Sequence, residues 1–212
     1  MVFSTQIEKC TDLVSVFYRN TSIILNMIYQ PQEFTLKDGT NVLLKTPDSG
    51  DAQKLLDSII AVSRTTDYLL SAPQDYDKYL KDISKEEDFI NSAREGKDYL
   101  ICVYINNVIV GNSMLRLNSH EKDLHRANIG IAIQKEWQGR GIGSLLFDEM
   151  IRIAKAIPEI EQLELDVISA NERAKNLYLK KGFVKTGDIP HELKLKNGSY
   201  LDGELMVLFL NK

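Results

Sequence analysis

The sequence predicts an α/β (α+β) fold in which helices flank a mixed β-sheet. Short apolar runs rich in strand-forming residues meet at turn dipeptides, namely Asp38-Gly39, Asn106-Asn107 and Asn197-Gly198. Two longer stretches, 48–62 and 142–157, carry apolar residues at spacings of three and four, as amphipathic helices do. The chain has 212 residues, which suits one domain with a sizeable core.

The first half of the predicted domain contains a hairpin and two helices. Residues 34–36 and 42–45 form the hairpin around a two-residue turn of favourable type. The helix over 48–62 follows. Ser84 and Glu87 are spaced as a capping box, so a second helix begins there.

The second half is predicted to alternate strands and helices. The helix that begins after Asn171 has a plausible N-cap in that residue and a suitable C-terminal stop in Gly182. The strands are expected at 99–105, 108–117, 125–133, 163–167, 183–186, 191–195 and 205–210, and the helices at 142–157 and 172–181.

Residues 1–34 are interpreted as an N-terminal extension of unclear role, and residues 35–212 as the functional domain. Charged residues precede the apolar ones at the N-terminus and no small-residue cleavage site follows, which argues against a signal peptide. The apolar run 23–28 is too short to cross a bilayer. We therefore expect a cytoplasmic protein that does not associate with membranes.

Charge and cysteine content exclude several classes of protein. The net charge of −4 argues against nucleic acid as a partner, because a basic patch is the usual footprint of such binding. The two cysteines, Cys10 and Cys102, are too few for a disulfide scaffold. The three histidines show no metal-ligand spacing, so no metal is expected.

A glycine-rich loop, residues 138–144 with the sequence Gln-Gly-Arg-Gly-Ile-Gly-Ser, lies between a predicted strand and a predicted helix. Alternate glycines let the backbone approach a bound group, and the following helix N-terminus attracts anions, most naturally phosphates. A Walker loop would need a lysine that is missing, and the dinucleotide fingerprint would need a third glycine where Ser144 stands. A tight turn without a ligand is the alternative.

A second motif increases the specificity of the first. With Trp137 before it, the glycine-rich loop resembles the Gln/Arg-x-x-Gly-x-Gly/Ala loop of the GNAT N-acyltransferases, which grip the pyrophosphate of acetyl-CoA. The segments Asn171-Glu172-Arg173-Ala174, Leu177-Tyr178 and Gly182-Phe183 are similar to the second signature of that family, Asn-x-x-Ala…Tyr…Gly-Phe. The resemblance covers residues 35–210. It implies the GNAT fold, a twisted, mostly antiparallel sheet of about seven strands flanked by about four helices.

The resemblance also implies acetyl-CoA as cosubstrate and an acetyl group moved to a primary amine. Tyr178 matches the tyrosine that protonates the departing sulfur; its alternative role is a packing tyrosine. The expected acetyl-CoA site consists of Ile131, Ala132, Ile133, Gln138, Gly139, Arg140, Gly141, Ile142, Gly143, Ser144 and Asn171.

The general base is left open by the sequence. Many relatives carry a glutamate at the place of Asn128, and an amide can only position a water that relays a proton. Other relatives use an acid five residues before the asparagine of the second motif, which is Asp166 here. Asp166, His125 and a water held by Asn128 are the candidates.

The acceptor amine is also left open. The acidic, tyrosine-rich stretch 67–82 would suit a cationic amine through charge and cation–π contact, although solvated loops often have this composition. Small amines, amino acids, aminoglycosides and peptide N-termini are all compatible, and a homodimer is possible. A non-catalytic acyl-CoA-binding module, motivated by Asn128, is the alternative to an enzyme.

Overall fold

A computed structural model describes residues 28–72, 74–75 and 83–210. Its centre is an eight-stranded sheet with the order β1-β2-β3-β4-β5-β6-β8-β7. The strands are β1 (Gln32–Thr35), β2 (Asn41–Lys45), β3 (Asp98–Ile105), β4 (Val108–Leu117), β5 (Arg126–Ile133), β6 (Gln162–Ile168), β7 (Val184–Lys194) and β8 (Tyr200–Phe209). The described helices are α1 (Ala52–Ser63), α2 (Ser84–Arg94), α3 (Ile142–Ala156) and α4 (Glu172–Lys180). The predicted α/β fold is confirmed, with eight strands instead of about seven.

Helices cover both faces of the sheet, and strand β3 shows this most clearly. Ile101 and Val103 point to the face covered by α3 and α4, where the larger core lies. Leu100 and Cys102 point to the face covered by α1 and α2. Strand β3 is therefore apolar along most of its length, as expected for a strand buried on both sides.

One junction in the sheet is parallel and short. Every other strand pair is antiparallel, whereas β5 and β6 run parallel and pair over only three residues, beginning at Arg126 with Gln162 and ending at Asn128 with Glu164. Beyond Asn128 the two strands diverge. Because β5 stays paired with β4 as far as Ile133, the backbone groups on its other side face an opening within the sheet.

The C-terminal strands differ in extent from the prediction. The segments predicted at 183–186 and 191–195 form one strand, β7, with two irregularities in its pairing to β8. Pro190 has no N–H to donate to a neighbouring strand, and His191 has a φ of 56°. These two residues interrupt the strand pattern in the sequence, although the strand itself continues through them. Strand β7 lies at the edge of the sheet, where a proline and a bulge are tolerated.

The boundary expected at residue 34 lies inside the described part of the domain. Strand β1 begins at Gln32, and Tyr29 is 6% exposed in the core. The hydroxyl of Tyr29 donates to Glu149 of α3 at 3.0 Å. The remainder of the predicted extension, residues 1–27, lies outside the described residues.

A buried carboxylate fixes the start of α1. Asp51 accepts a hydrogen bond from the Tyr104 hydroxyl at 2.7 Å and one from Lys54 Nζ at 2.9 Å. Lys45 Nζ lies 3.4 Å from the same carboxylate. Although burial opposes ionisation, these donors hold the pKa of Asp51 at about 2.

We expect Asp51→Asn to lower the free energy of unfolding by about 1–3 kcal/mol at pH 7, since buried donors lose a charged partner. The Asp51 pKa is lower in the folded than in the unfolded chain, so its contribution is present above pH ~4 and is lost toward pH ~2. Urea unfolding across this range measures the effect. Asp57→Asn, on the exposed side of α1, is the control. Equal stability of the two variants at pH 7 would contradict this role for Asp51.

Candidate functional site

The opening between β5 and β6 is the mouth of a cleft of about 1100 Å³. Residues 129–133 of β5 form one wall and residues 165–168 of β6 the other, with the glycine-rich loop and α4 closing one end. The loop after α1 contributes Thr65, Thr66, Tyr68, Leu69 and Leu70. The cleft therefore brings together both sequence motifs and part of the predicted acceptor loop. The rest of that loop, residues 73 and 76–82, lies outside the described residues.

The backbone of β5 is available for pairing along this cleft. Ile131, Ala132 and Ile133 are partly exposed and line it. The carbonyl of Ile133 accepts a hydrogen bond from Gln138 Nε2 at 2.9 Å, which ties the end of the strand to the glycine-rich loop. An extended ligand could add to β5 as a strand would.

The glycine-rich loop has the conformation of an anion-binding turn. Gly139 and Gly141 have φ values of 81° and 98°, which glycine adopts without strain. Helix α3 begins directly after Gly141. Gly143 lies in the first turn, where an added Cβ would be 3.1 Å from Leu177 of α4, so the glycine allows the two helices to approach closely. Unpaired N–H groups of that turn can bind phosphate oxygens.

The predicted loop residues do not all reach the cleft. Gln138, Gly139, Gly141, Gly143 and Ser144 line it. Ile142 is instead buried in the core at 1% exposure.

Arg140 also points elsewhere. Its guanidinium lies 4.7 Å from the centre of the Trp137 ring and 3.3 Å from Asp38 Oδ2. It thus connects the glycine-rich loop to the turn between β1 and β2, and its predicted contact with a phosphate stays a prediction.

Cationic side chains surround the loop end of the cleft, and sequence reasoning missed them. Lys135, Arg173, Lys180 and Lys181 line it. Arg173 reaches over the loop, since its Nη2 would lie 2.9 Å from a Cβ at Gly139. Lys181 donates to Ser144 Oγ at 2.7 Å and to Asp148 at 2.6 Å. The motif Asn-x-x-Ala treats the position of Arg173 as variable, which is why the pattern did not identify it.

We expect Arg173→Ala to weaken acetyl-CoA binding about tenfold, or ~1.4 kcal/mol, because a cation placed over a phosphate site is lost. The loss should shrink as salt rises, since ions screen exposed charges. Isothermal titration with acetyl-CoA at two salt concentrations measures this. Lys155→Ala, which removes an exposed charge from the last turn of α3, is the control. Unchanged affinity of the Arg173 variant at low salt would refute the assignment.

Tyr178 lies on the cleft wall with its ring in the core. It is 7% exposed and packs against Phe147 and Phe183, with ring centres 5.1 and 6.1 Å away. Burial raises the pKa of its hydroxyl to about 12. Among the described residues the hydroxyl has no hydrogen-bond partner. A protonated phenol thus lies in the cleft, available to a ligand.

Asn171 caps helix α4 and also lies on the cleft, and its contact with the CoA arm stays a prediction. Its Oδ1 accepts a hydrogen bond from the Ala174 N–H at 3.2 Å, so it caps α4. It also lines the cleft. The cap uses the oxygen, which leaves the amide nitrogen for a ligand.

Asp166 lies between the cleft and a second cavity. This second cavity, called the side cavity below, measures about 240 Å³ and is lined by Met114, Arg116, Asn128, Ile129, Gly130, Glu164, Leu165 and Asp166. Asp166 lines both spaces. Asp166 is exposed by surface area, but partial desolvation by the atoms around it, together with the charge of Glu164, raises its pKa above the ordinary aspartate value. A carboxyl whose pKa is moved toward neutrality is a suitable general base.

The two other candidates for the base are placed less centrally. Asn128 lines only the side cavity, and His125 lines neither space. Glu164, which the sequence did not single out, is bound by the Arg126 guanidinium through contacts of 2.7 and 2.6 Å. That bidentate ion pair lowers the pKa of Glu164, so its carboxylate is committed to Arg126.

In the part of the chain that the structure describes, no cluster of three or more His, Cys, Asp or Glu side chains is arranged to hold a metal ion. None of the described helices is long and apolar enough to cross a membrane.

The split sheet, the glycine-rich loop and the tyrosine of α4 meet at one cleft, as the two sequence motifs predicted. Residues 64–183 match the family model described as "Acetyltransferase (GNAT) family". The chain belongs to this family of acetyltransferases, as its resemblance to the two signatures predicted.

Several characterised relatives share part of the chain. It is 30% identical over 102 residues to L-amino acid N-acetyltransferase AaaT of Escherichia coli, which is 48% of this chain and 62% of that protein. It is 28% identical over 134 residues to spermidine N(1)-acetyltransferase of Escherichia coli, covering 63% of each. The chain thus spans less than two thirds of these two relatives.

Solved structures share the fold. A GNAT-family acetyltransferase from Streptococcus pneumoniae superposes with a TM-score of 0.73 at 27% identity, covering 80% of this chain and 99% of that one. The yncA protein of Salmonella typhimurium, solved with its cofactor acetyl-CoA, superposes with a TM-score of 0.70 at 17% identity, covering 82% and 96%.

Proposed function

We propose that the protein transfers the acetyl group of acetyl-CoA to a primary amine by direct attack, with Tyr178 as general acid and Asp166 as general base. The observation that carries the proposal is the cleft where β5 and β6 diverge, which joins a strand edge, an anion-binding loop and an unpartnered phenol. Its relatives act on amines of three kinds, an amino acid, spermidine and, by name, an N-alpha group.

The residues present fit acetyl-CoA. The free edge of β5 at Ile131 and Ile133 can pair with the amide-bearing pantetheine arm. The turn at Gly139 and Gly141, with the N-terminus of α3, can hold the pyrophosphate, and Arg173 supplies a positive charge beside it. Binding along the strand would bring the thioester toward Tyr178.

The chemistry then needs two proton transfers. The amine nitrogen attacks the thioester carbonyl carbon, a C–N bond forms, and the nitrogen gives its proton to Asp166, directly or through a water. The C–S bond breaks and the leaving sulfur takes a proton from Tyr178, which recovers it from solvent. The burial that raises the pKa of Tyr178 keeps the proton on its oxygen at neutral pH, so a donor is present when the thiolate leaves.

A covalent acetyl-enzyme is not part of this proposal. Cys102 is fully buried and its pKa is raised by that burial, so the described part of the chain offers no reactive thiolate in the cleft. The acceptor must therefore reach the thioester itself.

Release of CoA thiol from acetyl-CoA across a panel of amines tests the proposal. The panel contains amino acids, polyamines, aminoglycosides and short peptides, and mass spectrometry identifies the acetylated product. We expect release that depends on one class of amine. Tight acetyl-CoA binding with no acetylated product from any class would instead favour the non-catalytic module that Asn128 suggests.

A further inference from the structure

The side cavity adjoins the proposed site of acetyl transfer and has its own set of charges. Four residues line both the cleft and the side cavity, and Asp166 is the charged one among them. The side cavity is open to solvent and has a volume of about 240 Å³, so a ligand can reach it directly from solution.

Only one of the two carboxylates in the side cavity carries an uncompensated charge. Glu164 is neutralised by its bidentate pair with Arg126. Asp166 makes no ion pair or hydrogen bond with any described residue. A cation that enters the side cavity would therefore be attracted mainly to Asp166, at the junction with the cleft.

Arg116, an exposed residue, brings a positive charge to the side cavity. Its guanidinium has one described contact, a weak one to Met114 Sδ at 3.9 Å, and no ion pair with a described carboxylate. Asp98, its partner across β3 and β4, instead accepts the backbone N–H of Leu117 at 3.1 Å. The guanidinium keeps donors free for a planar anion.

We propose that the acceptor is a free α-amino acid, whose ammonium group binds beside Asp166 and whose carboxylate binds Arg116. This inference rests on the proposed function and specifies its substrate class. A polyamine would bring a second cation toward Arg116, and a peptide N-terminus has an amide in place of the carboxylate. Of these three classes, the amino acid is the one that carries an ammonium and a carboxylate on the same carbon.

The same charges favour release of the product. The bound ammonium first loses one proton to solvent; the α-nitrogen then bonds to the acetyl carbon and gives a second proton to Asp166, while the C–S bond breaks and the sulfur takes the proton of Tyr178. The nitrogen thereby loses its positive charge. The acetylated product keeps only the negative charge of its carboxylate, so Asp166 no longer attracts it. It should bind more weakly than the zwitterion that entered.

The test compares acceptors matched in everything but the carboxylate. CoA release is measured for the common L-amino acids and, for the best of them, for its methyl ester, its amide and its decarboxylated amine, with spermidine included. We expect kcat/KM for the amino acid to exceed that of each carboxylate-free analogue at least tenfold. In Arg116→Ala this ratio should fall at least tenfold, and Arg116→Lys should restore part of it. Lys122→Ala, an exposed charge that lines neither cavity, is the control.

Binding measurements separate this inference from the proposed function. Titration of the complex with CoA should show the amino acid binding in the parent protein and not in Arg116→Ala, whose intact acetyl-CoA binding establishes its folding. Binding that needs Arg116 without any acetylation would support the amino-acid site and refute the enzyme. Acetylation of the amide or amine as fast as the amino acid would support the enzyme and overturn the amino-acid site. Absence of both binding and acetylation of amino acids overturns the inference as well.

Discussion

Replacing Tyr178 by phenylalanine is expected to lower kcat by about 10²-fold or more, the usual range for loss of a general acid. The hydroxyl is the only atom removed, and no described residue accepts or donates to it. The ring contacts with Phe147 and Phe183 are kept, so the fold and the acetyl-CoA site should survive. Steady-state kinetics with the best acceptor, together with titration of acetyl-CoA, measures the two effects separately.

The control is Tyr200→Phe, which removes an exposed hydroxyl from a ring stacked on His191. The parent value of kcat is expected there. If Tyr178→Phe instead kept kcat and weakened acetyl-CoA binding, the tyrosine would be a binding residue, and the proton for the sulfur would come from elsewhere.

Asp166→Asn is expected to lower kcat/KM by about 10²–10³-fold, since an amide cannot accept the proton of the amine. The base acts when deprotonated, so the rate of the parent enzyme should rise with pH through the Asp166 pKa. Partial desolvation and Glu164 raise that pKa, so this rise should fall above the ordinary aspartate value near ~4. The pH profile of the Asp166→Asn variant should lack this rise in rate.

Asp188→Asn provides the matched control for this experiment, because Asp188 is an exposed acid on β7 paired with Lys185. It should keep both the rate and the pH profile of the parent. A rise with the same midpoint in Asp166→Asn would assign the base to another titratable group.

The features that the sequence predicted correctly depend on local pattern. Alternating apolar residues, turn dipeptides and caps set the strands and helices. The glycines at 139 and 141 have the positive φ values that make such a loop possible. Both motifs line one cleft because they lie at the ends of elements that flank the same opening in the sheet.

The features that the sequence could not predict depend on which charges meet across strands. Alternation showed that Asp166 faces differently from Leu165, but not that Arg126 neutralises Glu164 and leaves Asp166 alone. Nothing local shows that Arg140 turns toward Trp137 and Asp38. Likewise Pro190 ends a strand pattern that the pairing with β8 continues.

The short junction between β5 and β6 also determines how firmly the two parts of the sheet are held together. Strands β1 to β5 and strands β6 to β8 form two panels, and only three residue pairs join them edge to edge. The pantetheine arm of acetyl-CoA, if paired along β5, would lie between the two panels as an added strand and would extend the contact between them. The two panels carry different parts of the proposed machinery, the backbone of residues 131–133 on one and Asp166 on the other. Their relative position would then be fixed most firmly while the cosubstrate is bound.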